Sequence, residues 1–382
     1  MFAYGMLAVI LALYLERLGF AKSAIGLLFA FTMFGDILMS LFLTTRADRF
    51  GRKRTLIIGC FLMVGASAAF ASTAQFGLLV LAATIGVLSP SGNEVGPFLP
   101  VEQAALSEEL SSDKRVGVIA WYNLVGYFAA AFGALTGGLG AQSLQHAGLS
   151  ELASFRWIVV GHGLVGIAMA ILYSGLSASA ENHAPKPQAA VWLGLHKSKR
   201  IVLKLSALFS IDAFAGGFVM QSLIAYWFHI RYGSSEAQLG GILFFGNLFA
   251  GISSLLAARI AKRFGLVNTM VWTHIPSNVL LILVPLMPNV NLAITVLLIR
   301  FCLSQMDVPT RQAYVMSVVA PDERSAAGGV TNIARSIGVS VAPLFTGLAF
   351  AAPTLGIPFL VAGSLKIGYD LALWRMASKE PN

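Results

Sequence analysis

Charge is what this chain has least of. Lys, Arg, Asp and Glu make up 11% of its 382 residues, against about 25% in a soluble globular domain. Too few charges are present to build an ordinary water-facing surface. Cysteine is nearly absent as well. Cys60 and Cys302 both fall in apolar runs, which leaves no disulfide framework and no thiolate metal site. The chain has no GxxxxGK[ST] phosphate loop, so it does not energise itself with ATP. It has no HExxH and no close ligand pair; His162, His229 and His274 are isolated in sequence. No nucleophile–base–acid pattern indicates an enzyme, and no cofactor or metal is implied. No basic leader precedes the apolar sequence after Met1, so no cleavable signal peptide is read.

What is present is apolar: 57% of residues, with a mean hydropathy of +0.77. Crossing about 30 Å of hydrocarbon takes about 20 apolar residues. Runs of that kind recur from end to end and predict an all-α membrane protein of about twelve spans. The predicted spans are 1–15, 23–43, 55–73, 77–106, 116–139 and 155–176, then 201–229, 237–258, 268–287, 292–319, 325–350 and 353–376. The polar stretch 177–200 reads as a linker between two six-helix bundles, 1–176 and 201–382. The first span is short: its 15 residues rise only about 22 Å. That shortness predicts a truncated first helix and a natural start upstream of Met1.

The net charge of +9 is a topology signal. Loops on one predicted side hold 18 Lys and Arg, and those on the other hold 4. The positive-inside rule then puts both termini and the linker in the cytoplasm of a multi-pass plasma-membrane protein. Loop bias accounts for the basic charge, and nucleic acid is not an expected partner. The bilayer and a small-molecule solute are, for a chain expected to work as a monomer.

The two halves repeat each other. Ala47, Arg49, Phe50, Gly51 and Thr55 recur 214 residues later as Ala261, Arg263, Phe264, Gly265 and Thr269. At an offset of 209, Pro100, Gln103, Asp113, Arg115 and Asn123 recur as Pro309, Gln312, Asp322, Arg324 and Asn332. Parallel six-helix repeats are a transporter architecture, with the solute site near the midplane.

The loop after the second span, Asp48-Arg-Phe-Gly-Arg-Lys-Arg54, resembles the D-R-x-G-R-R/K signature of the major facilitator superfamily. The weaker copy after the eighth span is similar. The resemblance covers essentially the whole chain through span count, linker and repeat. It implies secondary transport by alternating access, with spans 1, 4, 7 and 10 lining the cavity. The sequence departs from the family in three places. Thr44 stands where the motif opens on glycine, the fourth span lacks the exporters' arginine, and Gly126–Gly138 lacks the Gly-Pro pair of drug/proton antiporters.

A latch is expected at the cytoplasmic ends. Asp48 suits the exposed amides at the start of the eleventh span. Arg49 and Arg52, with Gly51 turning the loop, suit Glu108, Glu109 or Asp113, with Arg115 beside them. The plainer reading of this loop is a topology-setting basic cluster.

Ionisable groups at membrane depth cost several kcal/mol and face the bundle interior. Arg300, Ser304, Asp307 and Arg311 fall at i, i+4, i+7 and i+11, one helical face of the tenth span, with Pro309 expected to kink it. The repeat sets Arg311 against Glu102, predicting a pair that solute or protons would separate. A static structural bridge is the competing reading. Asp36 and Asp212 are lone carboxylates suited to proton coupling, or to structural hydrogen bonds. Arg335 suits an anion or one of these carboxylates. Lys366 and Asp370, at i and i+4, read as a local pair. The two arginines of the stripe against one aspartate lean toward an anionic or zwitterionic solute. The alternative to transport is a transport-inactive sensor or scaffold of the same fold.

Overall fold

A computed structural model describes residues 1–92, 98–109, 112–176, 195–350 and 356–378, without the side chains of 44–50, 104, 107–109, 112–117, 325 and 348. Helix is the regular structure throughout these residues. Fifteen α-helices are present among them, and nine segments are long and apolar enough to cross a membrane. The chain is a multi-pass membrane protein. Three of the twelve expected spans fall outside those nine. The first, α1 (Phe2–Arg17), has 16 residues. The fourth is two pieces, α4 (Phe76–Ile85) and α5 (Phe98–Glu109), and the eleventh is α14 (Arg324–Ala349).

The chain forms two compact units. The first comprises residues 1–185 and 220–244, the second 186–219 and 245–382. The first holds α1, α2 (Lys22–Phe50), α3 (Arg52–Ser72), α4, α5, α6 (Ser112–His146), α7 (Glu151–Ser174) and α9 (Gln221–Tyr232). α1 is buried almost all round, from Ala3 to Leu15. Glycine lets it approach α6 at backbone contact. A Cβ at Gly133 would overlap the Phe2 carbonyl, one at Gly137 the Met6 carbonyl, and one at Gly5 the Ala130 carbonyl. In lipid, where hydrophobic drive between helices is missing, such close packing supplies the attraction. Polar bonds add to it: the Tyr226 hydroxyl donates to Glu16 at 2.8 Å, and Ser67 Oγ lies 2.7 Å from His162 Nδ1.

The second unit holds α8 (Lys199–Gly217), α11 (Leu266–Leu283), α12 (Val290–Ser304), α13 (Asp307–Val318), α14 and α15 (Ile357–Ala377). α10 (Glu236–Phe264) begins in the first unit and ends in the second. α8 and α14 cross closely because Gly338 meets the Ser210 carbonyl and Gly217 meets Ala342. The expected kink of the tenth span is instead a break. α12 stops at Ser304, and α13 restarts at Asp307 with Pro309 in its first turn, where the missing N–H costs no helical bond.

The sequence repeat has a physical cause. Gly51 and Gly265 each precede a helix with positive φ, 95° and 82°, a region that glycine enters without a Cβ penalty. Thr55 Oγ1 then donates to the Gly51 carbonyl at 2.9 Å, and Thr269 Oγ1 to the Gly265 carbonyl at 2.8 Å.

Candidate functional site

Five helices of the second unit bring buried charges to one place. α8 supplies Asp212, 2% exposed, in a helix otherwise lined with Leu205, Phe209 and Ala213 on its inner face. Lys366 from α15 donates to Asp212 Oδ1 at 2.6 Å. Arg335 from α14 donates to Oδ2 at 2.8 Å. Arg311 from α13 pairs with the same Oδ2 at 3.6 Å and donates to Asp307 at 2.5 Å, one turn away on its own helix. The Arg311 guanidinium also lies 5.7 Å from the centre of the Phe209 ring. One carboxylate thus faces three cations.

A second layer adjoins it. Asp370 of α15, fully buried, accepts from Asn278 of α11 at 3.3 Å and sits 2.9 Å from His274 Nδ1. The expected Lys366–Asp370 pair is therefore corrected. Helical spacing put the two on one face, but Asp212 captures the ammonium while α11 provides for Asp370. His274, isolated in sequence, is a bonded member of the cluster. The sequence alone gives His274 no role, and it gives Lys366 a different partner. A lone cation in an apolar run was the available signal for Lys366, of the same kind that picked out Asp212. Arg300 is 8% exposed, lies 5.2 Å from the Phe301 ring, and has no hydrogen-bond partner at Nε among the described residues.

Arg335 is the accessible member, with 27% of its side chain exposed against 7% for Arg311 and 10% for Lys366. On the same stretch of α14, an open groove of roughly 490 Å³ runs between α8 and α14, lined by Ser210, Ile211, Phe214, Ile337 and Val341. Ala334, next to Arg335 in the chain, is part of its lining.

The first unit holds the remaining candidates. Glu102 of α5 receives the hydroxyls of Tyr122 from α6 and Tyr173 from α7, one on each carboxylate oxygen. Arg311 and Glu102, expected as a pair, each have bonded partners inside their own unit. Asp36 accepts from Ser40 at 3.2 Å within α2. Of the expected latch, Gly51 makes the turn into α3, and Arg52 is 7% exposed at its first position. The side chains of Asp48, Arg49, Asp113 and Arg115, like those of Glu108 and Glu109, lie outside the described residues, as does Glu94.

An anchoring carboxylate of another kind sits at the end of the linker. Glu323, 1% exposed, accepts from three successive backbone amides ahead of α8: His196 at 2.5 Å and Lys197 at 2.7 Å on Oε1, Ser198 at 2.8 Å on Oε2. Burial alone would raise its pKa. The hydrogen bonds from Ser198 and from the amides of His196 and Lys197 outweigh it and hold the carboxyl at about 2.

Comparison with known proteins gives consistent relatives. The model of the Major Facilitator Superfamily matches residues 1–343. An uncharacterized membrane protein of Saccharomyces cerevisiae, YJR124C, is 28% identical over 97% of this chain and 90% of its own length. The quinolone resistance protein NorA of Staphylococcus aureus is 22% identical over 91% of this chain and 86% of its own. Among solved structures, the nucleoside transporter NupG aligns with a TM-score of 0.73 at 15% identity, covering 99% of this chain and 96% of that one. The xylose transporter XylE from E. coli, in a partially occluded inward-open conformation, aligns with a TM-score of 0.71 at 13% identity, covering 100% and 96%.

Proposed function

The chain belongs to the major facilitator superfamily and is a secondary transporter of a small-molecule solute; we propose that it carries an organic anion or zwitterion with an apolar body, by alternating access coupled to protons. The observation that carries this reading is Arg335. It is the exposed edge of a cluster in which one carboxylate serves three cations, and its chain neighbour Ala334 lines an apolar groove. A solute carboxylate can take the place of Asp212 on Arg335 without leaving a buried charge unpaired, because Lys366 and Arg311 still hold Asp212. An uncharged solute gains nothing there and must break a charged pair to enter.

Arg311, Asp307 and Arg300 stand behind this contact and set its field. Asp48, Arg49, Gly51, Arg52, Asp113 and Arg115 belong to the gating machinery at the cytoplasmic ends, and Asp36 stays a candidate for proton coupling. The Lys/Arg bias supports cytoplasmic termini.

A thermal-stability screen tests the solute class. The full chain in detergent would be melted with aromatic carboxylates, amino acids, nucleosides, pentoses and quaternary amines, beside an Arg335→Gln variant. Carboxylates and zwitterions are expected to raise the melting temperature of the parent alone. Stabilisation by sugars or cations that survives in Arg335→Gln would rule the reading out. Stabilising ligands that show no flux in proteoliposomes would establish the sensor alternative instead.

A further inference from the structure

We infer that Arg300 and Ser304 of α12 form an anion subsite behind the Arg335 contact, suited to one carboxylate, sulfate or phosphate group. The pairing of charges in the second unit points there. Arg311, Arg335 and Lys366 each pair with a carboxylate. Arg300 is the cation left over. It is 8% exposed and forms no ion pair among the described residues, and its buried Nε has no hydrogen-bond partner among them. Asp307 is near enough to act on it electrostatically, but that carboxylate already accepts from Arg311 at 2.5 Å.

A buried cation without a partner is costly, because its water has been removed and nothing has replaced it. An arginine kept for structure would have an acceptor at its guanidinium, as Arg311 and Arg335 do. Arg300 has the Phe301 ring 5.2 Å away instead. That ring is seated on Gly246 of α10, where a Cβ would come within 2.9 Å of it, so α12 is held firmly at this point.

Ser304 lies one turn further on the same helical face. It is 5% exposed, and its buried Oγ has no partner among the described residues. Other buried hydroxyls of this chain donate to the carbonyl one turn back: Ser67 to Met63, Thr310 to Met306 and Thr331 to Ala327. Ser304 does not, so its O–H is left to donate elsewhere. A guanidinium and a hydroxyl one turn apart, both lacking acceptors, complement an oxyanion in charge and in hydrogen bonding. A neutral group could accept from the hydroxyl but would leave the cation uncompensated.

The oxyanion is either a free inorganic ion or a second acidic group of the solute. The subsite stands on α12 alone, whereas its use by a solute rests on the transport reading. Calorimetric titration of the full chain in detergent, in a low-salt zwitterionic buffer, separates the two. Sodium sulfate would be titrated into the parent, Arg300→Gln, Ser304→Ala and Arg335→Gln. Saturable binding is expected in the parent and in Arg335→Gln. The affinity should fall about tenfold or more in Arg300→Gln and about fivefold in Ser304→Ala. Without added anion, Arg300→Gln should melt at or above the parent, since it removes an unpaired charge. No saturable binding to the parent, or equal binding by Arg300→Gln, overturns the subsite. A lower melting temperature in Arg300→Gln with unchanged sulfate affinity marks a structural arginine and overturns it as well. Should Arg300→Gln fail to fold, Ser304→Ala decides, and an unchanged affinity there counts against the subsite. Dicarboxylates from succinate to suberate, beside their monocarboxylate counterparts, then name the source. A second carboxylate that tightens binding in the parent but not in Arg300→Gln assigns the subsite to the solute. Sulfate binding without that advantage assigns it to a free inorganic anion. Carboxylates that ignore Arg335 while sulfate still binds at Arg300 would sink the transport reading of Arg335 and leave the subsite standing.

Discussion

Lys366 and Asp212 are 154 residues apart in the chain, and Nζ of one is 2.6 Å from Oδ1 of the other. Both are nearly buried, and Asp212 simultaneously serves Arg335 and Arg311. A buried ion pair is weak evidence of net stabilisation, but breaking one from a single side is costly because a charge is left behind.

Removing the hub should therefore do more harm than removing a spoke. Asp212→Ala leaves three cations facing one another and is expected to cost about 3–5 kcal/mol. Lys366→Met leaves Asp212 two partners and should cost less. Melting temperatures in detergent check the order. A Lys366→Met variant less stable than Asp212→Ala would refute it.

His274 holds a carboxyl that has no exposure at all. His274→Ala takes the partner from Asp370 Oδ1, and leaving a buried group unsatisfied costs about 1–3 kcal/mol. Asn278→Ala removes the weaker bond at 3.3 Å and should be milder. Denaturation of the two variants side by side gives the comparison.

Gly133 is a spacing residue. Valine there would drive a Cβ into the Phe2 carbonyl and force α1 from α6, at about 1–3 kcal/mol or more. Gly65→Ala is the control, because nothing lies within 4 Å of its added Cβ. The control should melt as the parent does or slightly higher, since alanine favours helix over glycine by about 1 kcal/mol.

Glu323 predicts an acid sensitivity. Its folded pKa of about 2 lies below the ordinary 4.5, so its stabilising effect is complete above about pH 4.5. That effect is lost as pH falls toward 2, because the unfolded chain takes up the proton first. Glu323→Gln should be less stable than the parent at neutral pH, and the gap should close between pH 4.5 and 2. A gap that stays constant across that window would show that the amide clasp does not depend on charge.

Parts of the site were legible and parts were not. Asp212, Arg311, Asp307 and Arg335 stood out because a charge in an apolar run is conspicuous on its own. Lys366 was equally conspicuous but was paired with Asp370 by a rule that sees only one helix. Across helices, Asp212 offered the ammonium a nearer carboxylate, and α11 offered Asp370 two donors. The Glu102 clamp left no trace in sequence, since no local pattern marks which phenols the helices bring to it. The Glu323 clasp was equally hidden, because its donors are backbone amides, which every residue carries.

The sequence by itself determined the membrane setting, the helical class, the repeat and the family, because apolar runs, loop charge bias and the Gly51/Gly265 turns are local properties that composition and spacing express directly. The tertiary structure decided which charges meet. It set Lys366 on Asp212, His274 on Asp370 and two phenols on Glu102, because partner choice among buried polar groups depends on distances between helices far apart in the chain.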